Sequence, residues 1–158
     1  RLLIVGGGEV YQQLIKYVKD LHLDKAVIFT GRVASGEVPN YLHLADVQAE
    51  PVIDNTVGRS SLPLKMFESW GAGVPFVTGD VGDRRFVMGD PPAGIIVRPG
   101  DASALAEGVL QILENPTLAN DLSTRGLVRA EEYSWTNLTQ RVEGVYRKVL
   151  ARHDGNRR

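Results

Sequence analysis

The stretch Leu62-Pro63-Leu64-Lys65-Met66-Phe67-Glu68-Ser69-Trp70-Gly71-Ala72-Gly73-Val74-Pro75-Phe76-Val77-Thr78-Gly79 holds a helix, a glycine stop and a strand in immediate succession. Pro63 suits a first helical turn, because its φ is already fixed and its missing N–H is one that the first turn leaves unbonded anyway. The helix reads over residues 64–70 and ends at Gly71-Ala72-Gly73. A strand over 74–78 follows, then a turn at Gly79-Asp80-Val81-Gly82, a short helix near 84–88 and a strand at 94–97.

The alternation extends to both sides. Upstream, Leu2-Leu3-Ile4-Val5 is a branched apolar run closed by Gly6-Gly7-Gly8, as expected of a strand buried on both faces. Tyr11, Leu14, Ile15, Val18 and Leu21 recur at helical spacing and predict an amphipathic helix over 10–21. A strand over 26–30 ends at Gly31, a short helix spans 38–42, and a third strand lies around 46–52. Residues 53–61 read as irregular. Downstream, Leu105, Val109, Ile112 and Leu113 form one helical stripe, residues 118–132 supply a second helix, and Leu138, Val142, Val145 and Val149 mark a third. Asp101, Thr117 and Ser134 stand where N-caps belong. Parallel strands need helical crossovers, so this order predicts an α/β fold with a doubly wound, Rossmann-like parallel sheet. The domain is expected over 1–152, with 153–158 as a disordered polar tail.

Composition narrows the function classes. The chain has 158 residues, with 18 Lys and Arg against 19 Asp and Glu, for a formal net charge of -1. That balance gives no overall reason to expect nucleic acid as a partner, which normally calls for a strongly basic face. With no cysteine, thiol nucleophiles, disulfides and thiolate zinc sites are excluded. His22, His43 and His153 are too scattered for a local metal motif, so no metal site is expected. No apolar run approaches the roughly 18 residues of a membrane span. The chain starts without Met, directly on a strand, and is expected to begin inside a larger protein.

In a sheet of this kind, ligands bind outside the carboxyl ends of the strands, where glycine turns bring N–H groups and helix N-termini to anions. The first such place is Gly6-Gly7-Gly8, which reads either as a tight turn or as part of a dinucleotide fingerprint. Counting from Gly6, the third glycine of that fingerprint falls on Tyr11, and Gly31-Arg32 ends the second strand without the acid that holds an NAD ribose. An NADP-binding oxidoreductase domain, with Arg32 meeting a 2′-phosphate, is therefore the alternative reading. The second place is the segment from Arg59 into the helix at Leu64, with Lys65 in its first turn and Glu68 one turn on. A diphosphate fits that N-terminus, and a carboxylate at Glu68 can accept hydrogen bonds from paired ribose hydroxyls. The plainer reading is a surface helix with a weak Lys65–Glu68 ion pair. Trp70, Trp135, Phe29 and Phe67 read as core or interface residues, and His43 as a solvated or partly buried side chain.

The string LPLKMFESWGAGVPFVTGDVGDRRFV over 62–87 resembles the signature of the retaining glycosyltransferases of GT-B fold, group 1 or family 4. LLIVGGG, VIFTGRV, VPNYLHLADVQAEP, AGIIVRPGDASALAEGVLQIL and YSWTNLTQRVEGVY resemble the family's other segments in the same order, so the likeness covers nearly the whole chain. It implies the C-terminal, nucleotide-sugar-binding half of a two-domain enzyme whose N-terminal acceptor domain is absent from this chain. It also implies cytoplasmic localisation, with peripheral membrane attachment of the full-length protein as a second setting, and an acceptor that is a glycan, a lipid or a small molecule.

By that resemblance Glu68 matches the second carboxylate of an E-x7-E motif and binds the donor ribose. Ser60, Ser61, Pro63, Leu64 and Lys65 lie by the diphosphate and sugar, and Gly6, Gly7, Gly31, Arg32 and Val33 near the rest of the donor, the last three by its base. Lys65 is the candidate for stabilising the leaving group, and Arg59 a weaker one. The chemistry is expected to need no metal and no cofactor beyond the nucleotide diphosphate sugar as substrate, and the isolated chain is expected to bind nucleotide weakly and turn over little. Two departures stand out: Ser60 occupies the first acid's position, and Asp83 and Phe86 replace a glycine and an acid. Neither Glu50 nor Asp54 has the spacing to replace the missing acid. A degenerate member that only binds nucleotide sugar is thus a further alternative, and Arg84 and Arg85 are expected to be solvated.

Overall fold

The computed structural model describes residues 1–155. Every strand pairing in it is parallel, as helical crossovers dictate, and the pairings fall into two sheets. The chain divides into two compact units, Arg1–Leu44 and Ala45–Arg158.

In the first unit, β1 (Leu2–Val5) pairs with β2 (Val27–Gly31) in the register Leu2–Val27, Leu3–Ile28 and Ile4–Phe29. The register then shifts, so that Val5 faces Gly31, and the Gly6 N–H donates to the Gly31 carbonyl at 2.9 Å. Gly6 and Gly31 take φ of +126° and +70°, which glycine alone adopts without strain. Between the strands runs α1 (Tyr11–Asp20), and after β2 a 3₁₀ turn at Ser35–Glu37 leads into α2 (Val38–Leu42).

The second unit holds the sheet β3 (Gln48–Glu50), β4 (Phe76–Gly79) and β5 (Ile95–Val97), in that order, with β4 central and buried throughout. Its helices are α3 (Thr56–Ser60), α4 (Leu64–Gly71), α5 (Arg84–Met88), α6 (Ala102–Leu113), α7 (Pro116–Glu132) and α8 (Trp135–Gly155). Met66, Trp70, Phe76, Val87, Met88 and Ala93 form one buried cluster, and Val77, Ile112 and Leu122 another. Trp70 anchors the first: its Nε1 donates to the Ala93 carbonyl at 2.8 Å, and Phe67 meets its ring edge-on. α7 can approach α4 closely because Gly126 faces that indole; a Cβ there would lie 2.6 Å from the Trp70 ring.

Asp101 caps α6 as expected, accepting from the Ala104 N–H. α7 starts earlier than expected, because Asn115 rather than Thr117 is its cap and Pro116 fills the first helical position. Ser134 accepts from the Asn137 N–H at the start of α8. The stripe of α8 is helical, but Val142, Val145 and Val149 are exposed, as is Trp135. α8 continues to Gly155, into the stretch expected to be tail; residues 156–158 of that stretch lie outside the described residues.

Candidate functional site

In the first unit, the carboxyl ends of β1 and β2 bring together Gly6, Gly7, Gly31, Arg32 and Val33. The Arg32 side chain runs along the glycine turn, its Cγ 3.3 Å from where a Cβ on Gly7 would stand. Arg32 is exposed and Val33 half-buried. Tyr11 opens α1, and its ring packs edge-on against Phe29 with centroids 5.6 Å apart. A bulky ring thus fills the place where a dinucleotide fingerprint needs its third glycine, and the NADP-binding alternative finds no support in this turn.

In the second unit, the expected candidates collect around the start of α4. No side chain caps this helix, and the first bond back across the turn runs from the Met66 N–H to the Pro63 carbonyl at 3.1 Å. The N–H groups of Leu64 and Lys65 head a helix whose peptide dipoles favour an anion at this end. Leu64, Lys65 and Glu68 are exposed, while Met66, Ser69 and Trp70 hold the opposite face in the core. Lys65 and Glu68 do not pair with each other, nor does either join another ion pair among the described residues, which removes the surface-pair reading.

Residues 53–61 are not wholly irregular. Asn55 accepts from the Gly58 N–H at 2.8 Å and starts the single turn of α3. The glycine at 58 masked this helix in the sequence; the asparagine cap was its only signal. Ser60 and Ser61 turn their hydroxyls back to it, donating to the Val57 and Gly58 carbonyls at 3.2 and 3.3 Å. Ser60 therefore faces its own backbone. Arg59 lies outside, bound to Asp54 through Nε at 2.5 Å and Nη2 at 2.9 Å. These hydrogen bonds hold the Asp54 carboxyl below its ordinary range and raise the Arg59 guanidinium. A lowered carboxylate stabilises above its unfolded pKa and loses that contribution as pH falls through the folded one, an effect kept small here because both groups are exposed.

Arg84 overturns its expectation. It is not solvated but 1% exposed, at the first position of α5. Its Nε donates to Glu50 Oε2 at 3.1 Å and its Nη2 to Oε1 at 3.4 Å, while Nη1 faces the carbonyls of Gly58, Ser61 and Val81 at 3.1, 3.0 and 3.1 Å. Glu50 Oε2 also accepts from the Thr78 hydroxyl at 2.7 Å. The sequence offers no local sign of this cluster, whose members lie 28 and 34 residues apart. Arg85, by contrast, stays at the surface as expected, where its bonds to Asp80 raise its pKa. Phe86 is exposed beside it.

His43 is exposed, its Nδ1 2.6 Å from the Pro39 carbonyl. Among the described residues, no three His, Asp or Glu side chains gather as a metal site, and no helix is long and apolar enough to cross a membrane.

The family model for the group 1 glycosyl transferases matches residues 1–115. A GDP-mannose-dependent alpha-(1-6)-phosphatidylinositol monomannoside mannosyltransferase of Mycobacterium tuberculosis is 29% identical over 150 residues, covering 92% of this chain and 39% of its own. Among solved structures, sucrose-phosphate synthase from Thermosynechococcus elongatus aligns with a TM-score of 0.80 at 25% identity, over 95% of this chain and 38% of its own. Anabaena HepE, solved in complex with UDP, shares the fold with a TM-score of 0.74 at 17% identity, over 92% and 40% of the two chains. The chain thus spans about two-fifths of the length of the curated relatives it matches.

Proposed function

The chain belongs to the group 1 glycosyl transferases, and on that premise we propose that it is the donor-binding part of a retaining, metal-independent enzyme that carries a sugar from a nucleotide diphosphate sugar to an acceptor. The observation that carries this reading is the start of α4, with no side-chain cap and with Glu68 exposed and unpaired one turn on. The diphosphate lies on the N–H groups of Leu64 and Lys65, and Glu68 accepts from the ribose hydroxyls. The nucleotides in the names of two similar proteins, GDP-mannose for the mycobacterial mannosyltransferase and UDP for HepE, support a nucleotide ligand.

In the transfer, the bond from the anomeric carbon to the phosphate oxygen breaks with both electrons leaving on the phosphate, and the acceptor hydroxyl oxygen forms the new bond as its proton passes to the leaving phosphate. Negative charge therefore grows on the leaving phosphate, where preorganised N–H donors and the Lys65 ammonium lower the barrier. The acceptor is a glycan, a lipid or a small molecule, and its binding surface belongs to the N-terminal domain of the same protein.

Calorimetric titration of this chain with UDP-, GDP- and ADP-sugars tests the reading. Wild type binds one of them, and Glu68→Ala weakens that binding about tenfold, the scale of hydrogen bonds to a charged acceptor. Equal affinity in the variant removes Glu68 from the ribose role; no binding by wild type removes the donor reading. With Ser60 in place of the family's first acid, a second reading is a member that only binds. Transfer to any acceptor by the full-length protein discards that second reading.

A further inference from the structure

We propose that Arg84 is a positioning residue for the donor, acting through the backbone of residues 58–61; the proposal rests on the donor reading of α4. Arg84 touches no part of the proposed ligand site with its own charge, because its guanidinium is turned inward and fully engaged. What it holds is the path by which the chain enters α4.

Three observations define that grip. α3 ends at Ser60, which leaves the Gly58 and Ser61 carbonyls without helical partners, and the Arg84 guanidinium meets both. The cation stands at the carboxyl end of a helix, the side its dipoles favour, and so closes α3 where no glycine or asparagine cap is present. The guanidinium is fixed in turn by Glu50, at the end of β3, whose carboxylate the Thr78 hydroxyl of β4 also holds. One planar group therefore refers the approach to α4 to the ends of two sheet strands.

Close backbone packing completes the arrangement. Gly82 takes φ +60°, and a Cβ there would lie 2.8 Å from the Arg59 carbonyl oxygen, so the turn that carries Arg84 lies directly against the segment it pins. Only two residues, Leu62 and Pro63, separate the Ser61 carbonyl from the first residue of α4. A shift of 58–61 is transmitted to the Leu64 and Lys65 N–H groups with little slack, since the Pro63 φ is fixed. A lysine at 84 keeps a positive charge but offers one nitrogen in place of a fork, and cannot meet Glu50 and both carbonyls together.

Calorimetry with the nucleoside diphosphate that wild type binds tightest, UDP, GDP or ADP, tests this on the chain itself. Arg84→Lys raises the dissociation constant about tenfold, and Thr78→Val, which frees Glu50 from its hydroxyl, raises it about threefold, with stoichiometry unchanged in both. A merely structural role has a different signature: a partly unfolded sample lowers the stoichiometry and leaves the dissociation constant of its folded fraction at the wild-type value. That result, or wild-type binding in both variants, overturns the proposal. If Arg84→Lys does not fold, Thr78→Val decides on the same terms. Absence of binding by wild type removes the donor reading and this proposal with it, whereas wild-type binding retained in the variants removes the proposal alone.

Discussion

Trp70→Ala lowers the stability of the chain by about 3–5 kcal/mol, the range for emptying a large aromatic site in a packed core. The indole is wholly buried, is flanked by Phe67, and seats the α7 backbone at Gly126. Its loss leaves a cavity between α4 and α7, and it strips the Ala93 carbonyl of the Nε1 donor. Both terms act in the same direction, because a buried acceptor without a partner costs free energy beyond the lost contacts. Urea titration followed by circular dichroism reads the change as a lowered midpoint. A loss under about 1 kcal/mol would mean that α7 collapses onto the vacated space, a degree of relaxation that cores rarely show.

Gly58→Ala is the second large effect, and its sign runs against propensity. In an exposed helix, alanine for glycine stabilises by roughly 0.5–1 kcal/mol. At position 58 the added Cβ would stand 2.4 Å from the Ile53 carbonyl oxygen and 3.3 Å from Val81, so the backbone itself must move. The expected outcome is a loss of about 2–3 kcal/mol, the usual cost of overpacking a closed site. Gly144→Ala is the internal comparison: it lies in α8 with nothing within 4 Å of the new Cβ, and it keeps the favourable sign. Parallel unfolding curves of the two variants check both; a Gly58→Ala as stable as wild type would contradict the close approach.

The residues that carry periodicity are legible in the sequence alone. α5 falls on 84–88 as read, and α1 and α4 within a residue at either end, because their apolar spacing and glycine stops are local signals. β4 and β3 lie where the sequence puts them but with their ends displaced, since a strand's limits are set by the partner it bonds. Two failures share a cause. A helix of one turn such as α3 has no period to detect, and the sequence cannot tell the buried Arg84 from a solvated arginine, because a charged side chain looks the same whether or not a carboxylate awaits it from another strand. Of the candidate site, the exposure of Lys65 and Glu68 followed from the buried stripe of Met66 and Trp70 on the opposite face. The engagement of Ser60 and Ser61 with the α3 carbonyls did not, because it depends on a turn that the sequence hides.

The pairing of Arg84 with Glu50 and Thr78 also constrains how this chain can change over generations. Removing either charge alone strands its partner in a buried setting, a far heavier cost than exchanging the whole group for apolar side chains of similar volume. Substitutions at positions 50 and 84 are therefore expected to be energetically coupled. A chain that gives up the arginine by a single exchange passes through a weakened intermediate unless position 50 has already changed, which ties two widely separated positions to one another.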